Sequence, residues 1–405
     1  MRGVAFVLVA WATAPARAEP LHLADVLRRV AEESPDQAVA RAQVPVARAE
    51  ARTAGMWPNP GLVVSGARIE PVFSAAVQVR LPVLGQRGAR VHAAEAFVEQ
   101  TRAEASATLW RLRHDARIAY YAAVRSEEEA TIAVDVEALT QRVAAMAAER
   151  FEVGAGTRLE QEQAALLHVR ARQDVSDRRA VAVTSRLELA RLLGVGEPLG
   201  ALADGLAVVG AVPPRDELAA QARTTHPELR ALALEREAAL RRAGAGRADR
   251  RPVPTAELGV DLLDASTCGG TKRCVAPRGS LAFDLPIFNL NGGPIERAEA
   301  EARLVEARAH AAAIRVETAV GAAYAAFTAA GIRARFFDTE YQPAALRVEQ
   351  MAREGFTTGK TGLLPLIEAE RAVLEARLAR AGALYSVQVA RADLEEASGV
   401  PLSAP

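Results

Sequence analysis

Between residues 88 and 150 the chain has no proline, and small apolar residues recur at heptad spacing. Val98, Ala105, Leu112 and Ala119 form one series; Leu109, Ala116, Ala123 and Ala130 form a second. Arginine, glutamate and glutamine fill most positions between them. The pattern predicts one very long helix with a coiled-coil seam of small residues, which lets helix axes approach closely. At 1.5 Å per residue it would be roughly 90 Å long. Residues 294–355 repeat the plan, with Pro343 placed to kink or break the helix near its end. Further helices are predicted over 158–193 and 363–398, each after a glycine-containing turn, and over 21–53 and 215–248. A soluble coiled-coil scaffold satisfies these helices as well as any other arrangement.

Short segments of period two make the difference. Phe73, Ala75, Val77, Val79 and Leu81 alternate with Ser74, Ala76, Gln78 and Arg80. Ala256, Leu258, Val260 and Leu262 alternate with Thr255, Glu257, Gly259 and Asp261. Leu281, Phe283, Leu285 and Ile287 alternate with Ser280, Ala282 and Asp284. Strands are predicted at 61–69, 73–81, 255–263 and 279–287. Each is about nine residues long, enough for a tilted strand to cross a bilayer core. Four strands cannot enclose water, and an open sheet edge in lipid leaves backbone groups unpaired at several kcal/mol each. Strands inserted in a membrane therefore require other copies of the chain. Two hairpins on a soluble helical body is the competing arrangement.

The chain is written twice. Ser34-Pro35, Leu81-Pro82, Tyr121-Ala122-Ala123, Phe151-Glu152-Val153-Gly154 and Gly194-Val195 recur in the same order as His226-Pro227, Leu285-Pro286, Tyr324-Ala325-Ala326, Phe356-Thr357-Thr358-Gly359 and Gly399-Val400. The spacing is roughly 200 residues, the signature of an internal repeat. It widens between the first two markers, which places an insertion in the second half near 250–280. Residues 19–200 and 201–405 are the expected repeats, with residues 194–214 as the linker between them.

Composition narrows the choice. The 405 residues have zero formal net charge, against a nucleic-acid partner, and aromatics make up only 4%. Arg2, the apolar run 4–13 and Ala16-Arg17-Ala18 read as a signal peptide over 1–18; a short membrane anchor is the alternative. No downstream run is apolar enough for a spanning helix. Cys268 and Cys274 lie in the Gly-rich insertion; in an exported chain they are expected to form a disulfide, with a soft-metal pair as the rival. The motifs of zinc proteases, serine hydrolases and phosphate loops are missing, and the six histidines are scattered, so no enzyme, cofactor or metal site is expected.

Several stretches together resemble the TolC-type outer-membrane efflux family over nearly all of the mature chain. They are Trp57-Pro58-Asn59-Pro60, Leu81-Pro82-Val83-Leu84-Gly85-Gln86-Arg87-Gly88, Leu285-Pro286 through Gly292-Gly293, Arg150 to Gly154, and Gly355 to Arg371. The wording Gly85-Gln86-Arg87-Gly88 and Gly359-Lys360-Thr361-Gly362 is most similar to the cobalt–zinc–cadmium resistance branch. The resemblance implies a mainly α fold, a homotrimer, an outer-membrane barrel of twelve strands and a helical tunnel in the periplasm. It implies a periplasmic adaptor and an inner-membrane pump, of the RND type, as partners; a duct for organic solutes or polypeptides remains the alternative.

By the same resemblance, the helix-turn-helix tips that dock the adaptor map to Phe151, Gly154 and Thr157, and to Phe356, Gly359 and Gly362. The tunnel entrance maps to Glu368, whose three copies would form a negative ring, with Pro365 at a second position where the family is acidic. Glu160 matches an acidic residue of the family's closed-state latch. Phe356 and Thr361 stand where its tyrosine and arginine partners would be, so that latch cannot form in its usual shape.

Overall fold

The computed structural model describes residues 20–402 except 69–70, 197–198, 209 and 211. The segment read as a signal peptide lies outside the described residues. Each half begins with two helices, not the single helix expected. In the first half these are α1 (Leu23–Glu33) and α2 (Pro35–Ala54); in the second, α5 (Arg215–Thr225) and α6 (Pro227–Ala248). The breaks fall at Ser34-Pro35 and His226-Pro227. Proline suits the first position of a helix but forces the residue before it out of the helical region. Ser34 and His226 are accordingly extended, with ψ of 129° and 125°.

The same two breaks receive the ends of the long hairpins. Helix α4 (Arg158–Leu193) stops at Gly194 and helix α9 (Leu363–Ser398) at Gly399, both left-handed with φ of 68° and 67°. A Cβ on Gly194 would lie 2.8 Å from Pro35 Cδ, and one on Gly399 would lie 2.8 Å from His226 Cα. Two of the repeat markers are thus one contact, made once in each half. His226 also caps α6: Nδ1 accepts from Glu228 N at 3.2 Å, and Nε2–H donates to the Glu396 carbonyl at 3.1 Å. Burial pushes this imidazole below its ordinary value, in keeping with a neutral ring that both accepts and donates.

Helix α3 (Gln86–Glu152) spans 67 residues, roughly 100 Å. It runs beside α4, α6, α2 and α9. Of its heptad positions, Val98, Ala105, Leu112, Ala116, Ala119 and Ala123 are buried, and Leu109 and Ala130 half-buried. The matching stretch of the second half is interrupted: α7 (Gly292–Phe336) passes through one π turn (Phe337–Tyr341) into α8 (Gln342–Thr357). The π turn ends two residues before Pro343, which can neither donate to the helical ladder nor fit against the preceding turn.

Polar seams fix α3 to the rest. Tyr120 is fully buried and donates to Leu21 O at 2.9 Å, while Asp204 in the linker accepts from Leu23 N at 2.6 Å. The linker thereby lies along α1, with Leu21 bridged to Leu202. Farther along, Arg117 meets Glu395 at 2.9 Å, and His114 meets Asp393 at 2.8 Å and Asp115 at 3.0 Å. Burial pulls the His114 imidazole down, but these carboxylates and Glu396 outweigh it and hold it at about 9.

Strands β1 (Gly61–Gly66), β2 (Phe73–Arg80), β3 (Pro254–Leu263) and β4 (Cys274–Phe283) form one antiparallel sheet in sequence order. The central β2–β3 pairing joins the two halves. β1 ends at Gly66, short of the expected 69, which lies outside the described residues. β4 begins at Cys274, well before the expected 279, and stops at Phe283, so Leu285 and Ile287 lie beyond the ladder. Its phase is as expected, but Pro277, which reads as a breaker, sits within the strand opposite Val260.

Candidate functional site

The two helical hairpins end in similar turns. After α3 the chain reverses through Gly154 (φ 73°), and the amides of Ala155 and Gly156 donate to Arg150 O at 2.8 and 2.9 Å. After α8 it reverses through Gly359 (φ 71°), and Lys360 and Thr361 donate to Gly355 O at 2.9 and 3.2 Å. The restarts differ. Thr157 and Glu160 form a capping box: Thr157 Oγ1 accepts from Glu160 N at 3.2 Å, and the Glu160 carboxylate accepts from Thr157 N at 2.8 Å. Gly362 has no side chain to do this for α9.

The turns pack into one cluster with Val143, Ala147, Ala164, Leu363, Leu366 and Ile367. Phe356 lies inside it at 5% exposure, with the Arg150 guanidinium 4.8 Å above its ring. Phe356 thus supports the tips from within, whereas Gly154, Thr157, Gly359 and Gly362 are exposed and Phe151 is half-buried. Glu368 is exposed on α9, between the buried Ile367 and Ala369. Glu160 sits at the start of α4 and its carboxylate is taken up by the cap.

One group near the tips lies outside the positions read from sequence. Glu370 of α9 meets Arg353 of α8 at 3.2 Å, and Arg353 also pairs with Glu349. Burial raises the Glu370 carboxyl; Arg353 opposes this and Glu349 adds to it, leaving it at about 7. Glu349 and Arg353 are visible as a helical i,i+4 pair, but nothing local signals that a carboxyl from the next helix joins them. Beside it is a cavity of about 320 Å³ whose lining includes Val136, Leu139, Leu167 and Leu366, with Arg170, Arg178 and Glu370 among its polar members.

The sheet has two chemically distinct faces. Register aligns Leu62, Val77 and Leu258 across one face, and Val64, Ala75 and Val260 in the next row. Leu62, Val64, Phe73, Val77, Leu258, Val275 and Leu281 are exposed there. The opposite face aligns Gln78, Glu257 and Ser280, then Ala76, Gly259 and Arg278, then Ser65, Ser74 and Asp261. Ser74, Ala76 and Thr255 on this face are buried, as the concave side of a curved sheet would be. The strands approach closely at Gly259, where a Cβ would lie 2.5 Å from Ala75 O and from Ala76 Cβ. Cys268 and Cys274 are joined across the loop between β3 and β4, at the end of the sheet farthest from the helices, with Cα atoms 6.0 Å apart. Among the described residues no helix is long and apolar enough to cross a membrane.

Residues 26–195 and 218–400 match the family described as outer membrane efflux protein. The chain belongs to that family. The cobalt-zinc-cadmium resistance protein CzcC of Cupriavidus metallidurans is 26% identical over 352 residues, which are 84% of this chain and 81% of CzcC. The fold is that of solved outer-membrane channels. CusC superposes with a TM-score of 0.75 at 18% identity, covering 95% of this chain and 94% of CusC. CmeC of Campylobacter jejuni gives 0.76 at 13% identity, with 93% and 85% covered. As an outer membrane efflux protein, the chain is a duct of the outer membrane.

Proposed function

We propose that three copies assemble into the exit duct of a tripartite efflux system. The sheet carries this reading. It has an apolar face and a polar face, and β1 and β4 each pair on one side only. In lipid the free edges must find backbone partners, and β4 of one copy with β1 of the next supplies them. Three four-stranded sheets make a twelve-stranded barrel, apolar outward and polar toward the lumen. The long hairpins become an α-barrel in the periplasm, and their tips meet a periplasmic adaptor bound to an inner-membrane pump, of the RND type. Gly154, Thr157, Gly359 and Gly362 are the exposed tip positions for that contact.

The cargo is divalent heavy-metal cations. The likeness to a cobalt-zinc-cadmium resistance protein supports this, and so does Glu368, whose exposed carboxylates would ring the entrance in a trimer. The metal is cargo, moved by the pump; among the described residues no group of three or more histidines, cysteines or carboxylates could hold it. The test is a deletion strain challenged with cobalt, zinc and cadmium salts and, separately, with organic antimicrobials. Sensitivity should rise for the metals alone and be reversed by the wild-type gene. Sensitivity to the organic compounds with unchanged metal tolerance would overturn the metal reading.

A further inference from the structure

The polar face of the sheet carries a charge arrangement that the tips do not account for. Arg278 on β4 stands opposite Gly259 on β3, in the row that ends the approach of Ala76. The Arg278 guanidinium lies between the carboxylates two positions to either side of Gly259 on β3. Nη2 donates to Glu257 Oε1 at 2.5 Å, while the nearest approach to Asp261 is 3.7 Å, from Nη1. Asp261 Oδ1 and Arg278 Nε are both buried without a hydrogen-bond partner. One guanidinium thus faces two carboxylates and is committed to one of them.

The other charges of this face lie elsewhere. Arg80, near the helical end of the sheet, pairs with Asp284 at 3.5 Å, leaving that level neutral. Asp264, Lys272 and Arg273 belong to the loop beyond the strand ends. The middle of the sheet therefore holds one uncompensated negative charge per chain, spread along the strand from residue 257 to 261, roughly 13 Å.

We infer that Glu257, Arg278 and Asp261 form a cation-selecting belt halfway along the barrel, in which Arg278 sets how much of the negative charge the lumen sees. The inference rests on the trimeric-duct reading, under which this face lines the lumen and three copies bring three excess carboxylates together. In a narrow passage with low-dielectric walls, fixed charges of one sign concentrate counter-ions and exclude co-ions. The belt would act on divalent cations after they have passed Glu368, at a separate station. Asp261 is the residue on which selectivity depends most directly, because Glu257 is already neutralised by Arg278.

The test is ion selectivity of the reconstituted full chain in planar bilayers under a potassium chloride gradient. Asp261→Asn should lower the cation-to-anion permeability ratio about two- to threefold, and Arg278→Gln should raise it by a similar factor, since each moves three charges per pore. Asp261→Glu keeps the charge and should keep the ratio, which separates charge from packing. Both shifts should persist in a Glu368→Gln background. Conducting trimers whose ratio is unmoved by Asp261→Asn and by Arg278→Gln would overturn the belt and leave the duct intact. If the wild-type chain gave no conducting trimer, the duct reading itself would fall, and the belt with it.

Discussion

Single side chains decide how firmly the two tips are tied. Phe356 is the largest apolar group in their shared cluster, and Arg150 covers it while donating to Ala155 O at 3.2 Å. Phe356→Ala would remove a buried ring and should cost about 3–5 kcal/mol in the packing of α3, α4, α8 and α9. Limited proteolysis of the assembled protein checks this: cleavage should rise at both turns, and Phe356→Leu should restore most of the protection. Cleavage confined to the second turn would show that the tips are not coupled through this residue. Phe356 is also where reading the residues one by one fell short. The motif drew attention to it as a tip residue, but motif position says nothing of direction, and the ring points inward. Glu160 is similar, since Thr157 three positions earlier makes a capping box visible in the sequence, and that local bond takes up its carboxylate.

At the level of helices and strands, periodicity was legible where a segment needs only its own pattern. The bounds of α4 and α9 follow from the flanking glycines and the unbroken apolar repeat, and the alternation of β2 and β3 names the correct faces. Differences arose at prolines and where a neighbouring strand decides. Pro35 and Pro227 divide helices that composition alone would continue, and β4 extends back through Pro277 because β3 offers it a partner there. The π turn before Pro343 shows how the second long helix accommodates a residue that the first lacks.

Helices α8 and α9 meet through the carboxyl pair Glu349 and Glu370, with Arg353 between them and Arg170, Asp174 and Arg178 of α4 lining the adjoining cavity. The folded protein holds Glu370 above its ordinary value of 4.5, at about 7. A raised carboxyl favours the protonated form, so the stability it lends is complete below 4.5 and is lost as pH rises through 7. Spin labels on α8 and α9 should therefore report a closer, narrower distance at pH 5 than at pH 8. Glu370→Gln should hold the closer distance at both. A distance insensitive to pH in the wild type would remove Glu370 as the cause.

For the whole molecule, the internal repeat was the most informative feature of the sequence, because one physical plan had to explain both halves. Each half supplies one strand hairpin and one long helical hairpin, and the β2–β3 pairing makes a single sheet of the two. Neither half can satisfy its edges, and neither can one chain. Alternation in a few nine-residue stretches thus calls for an oligomer in lipid, and strands that never meet a membrane would need none. The most direct measurement is the mass and strand count of the assembly extracted from outer membranes with detergent, by cryo-electron microscopy. The account predicts three chains around one axis, with β4 of each copy hydrogen-bonded to β1 of the next in a closed barrel of twelve strands. A processed chain recovered without detergent as a stable monomer would contradict it.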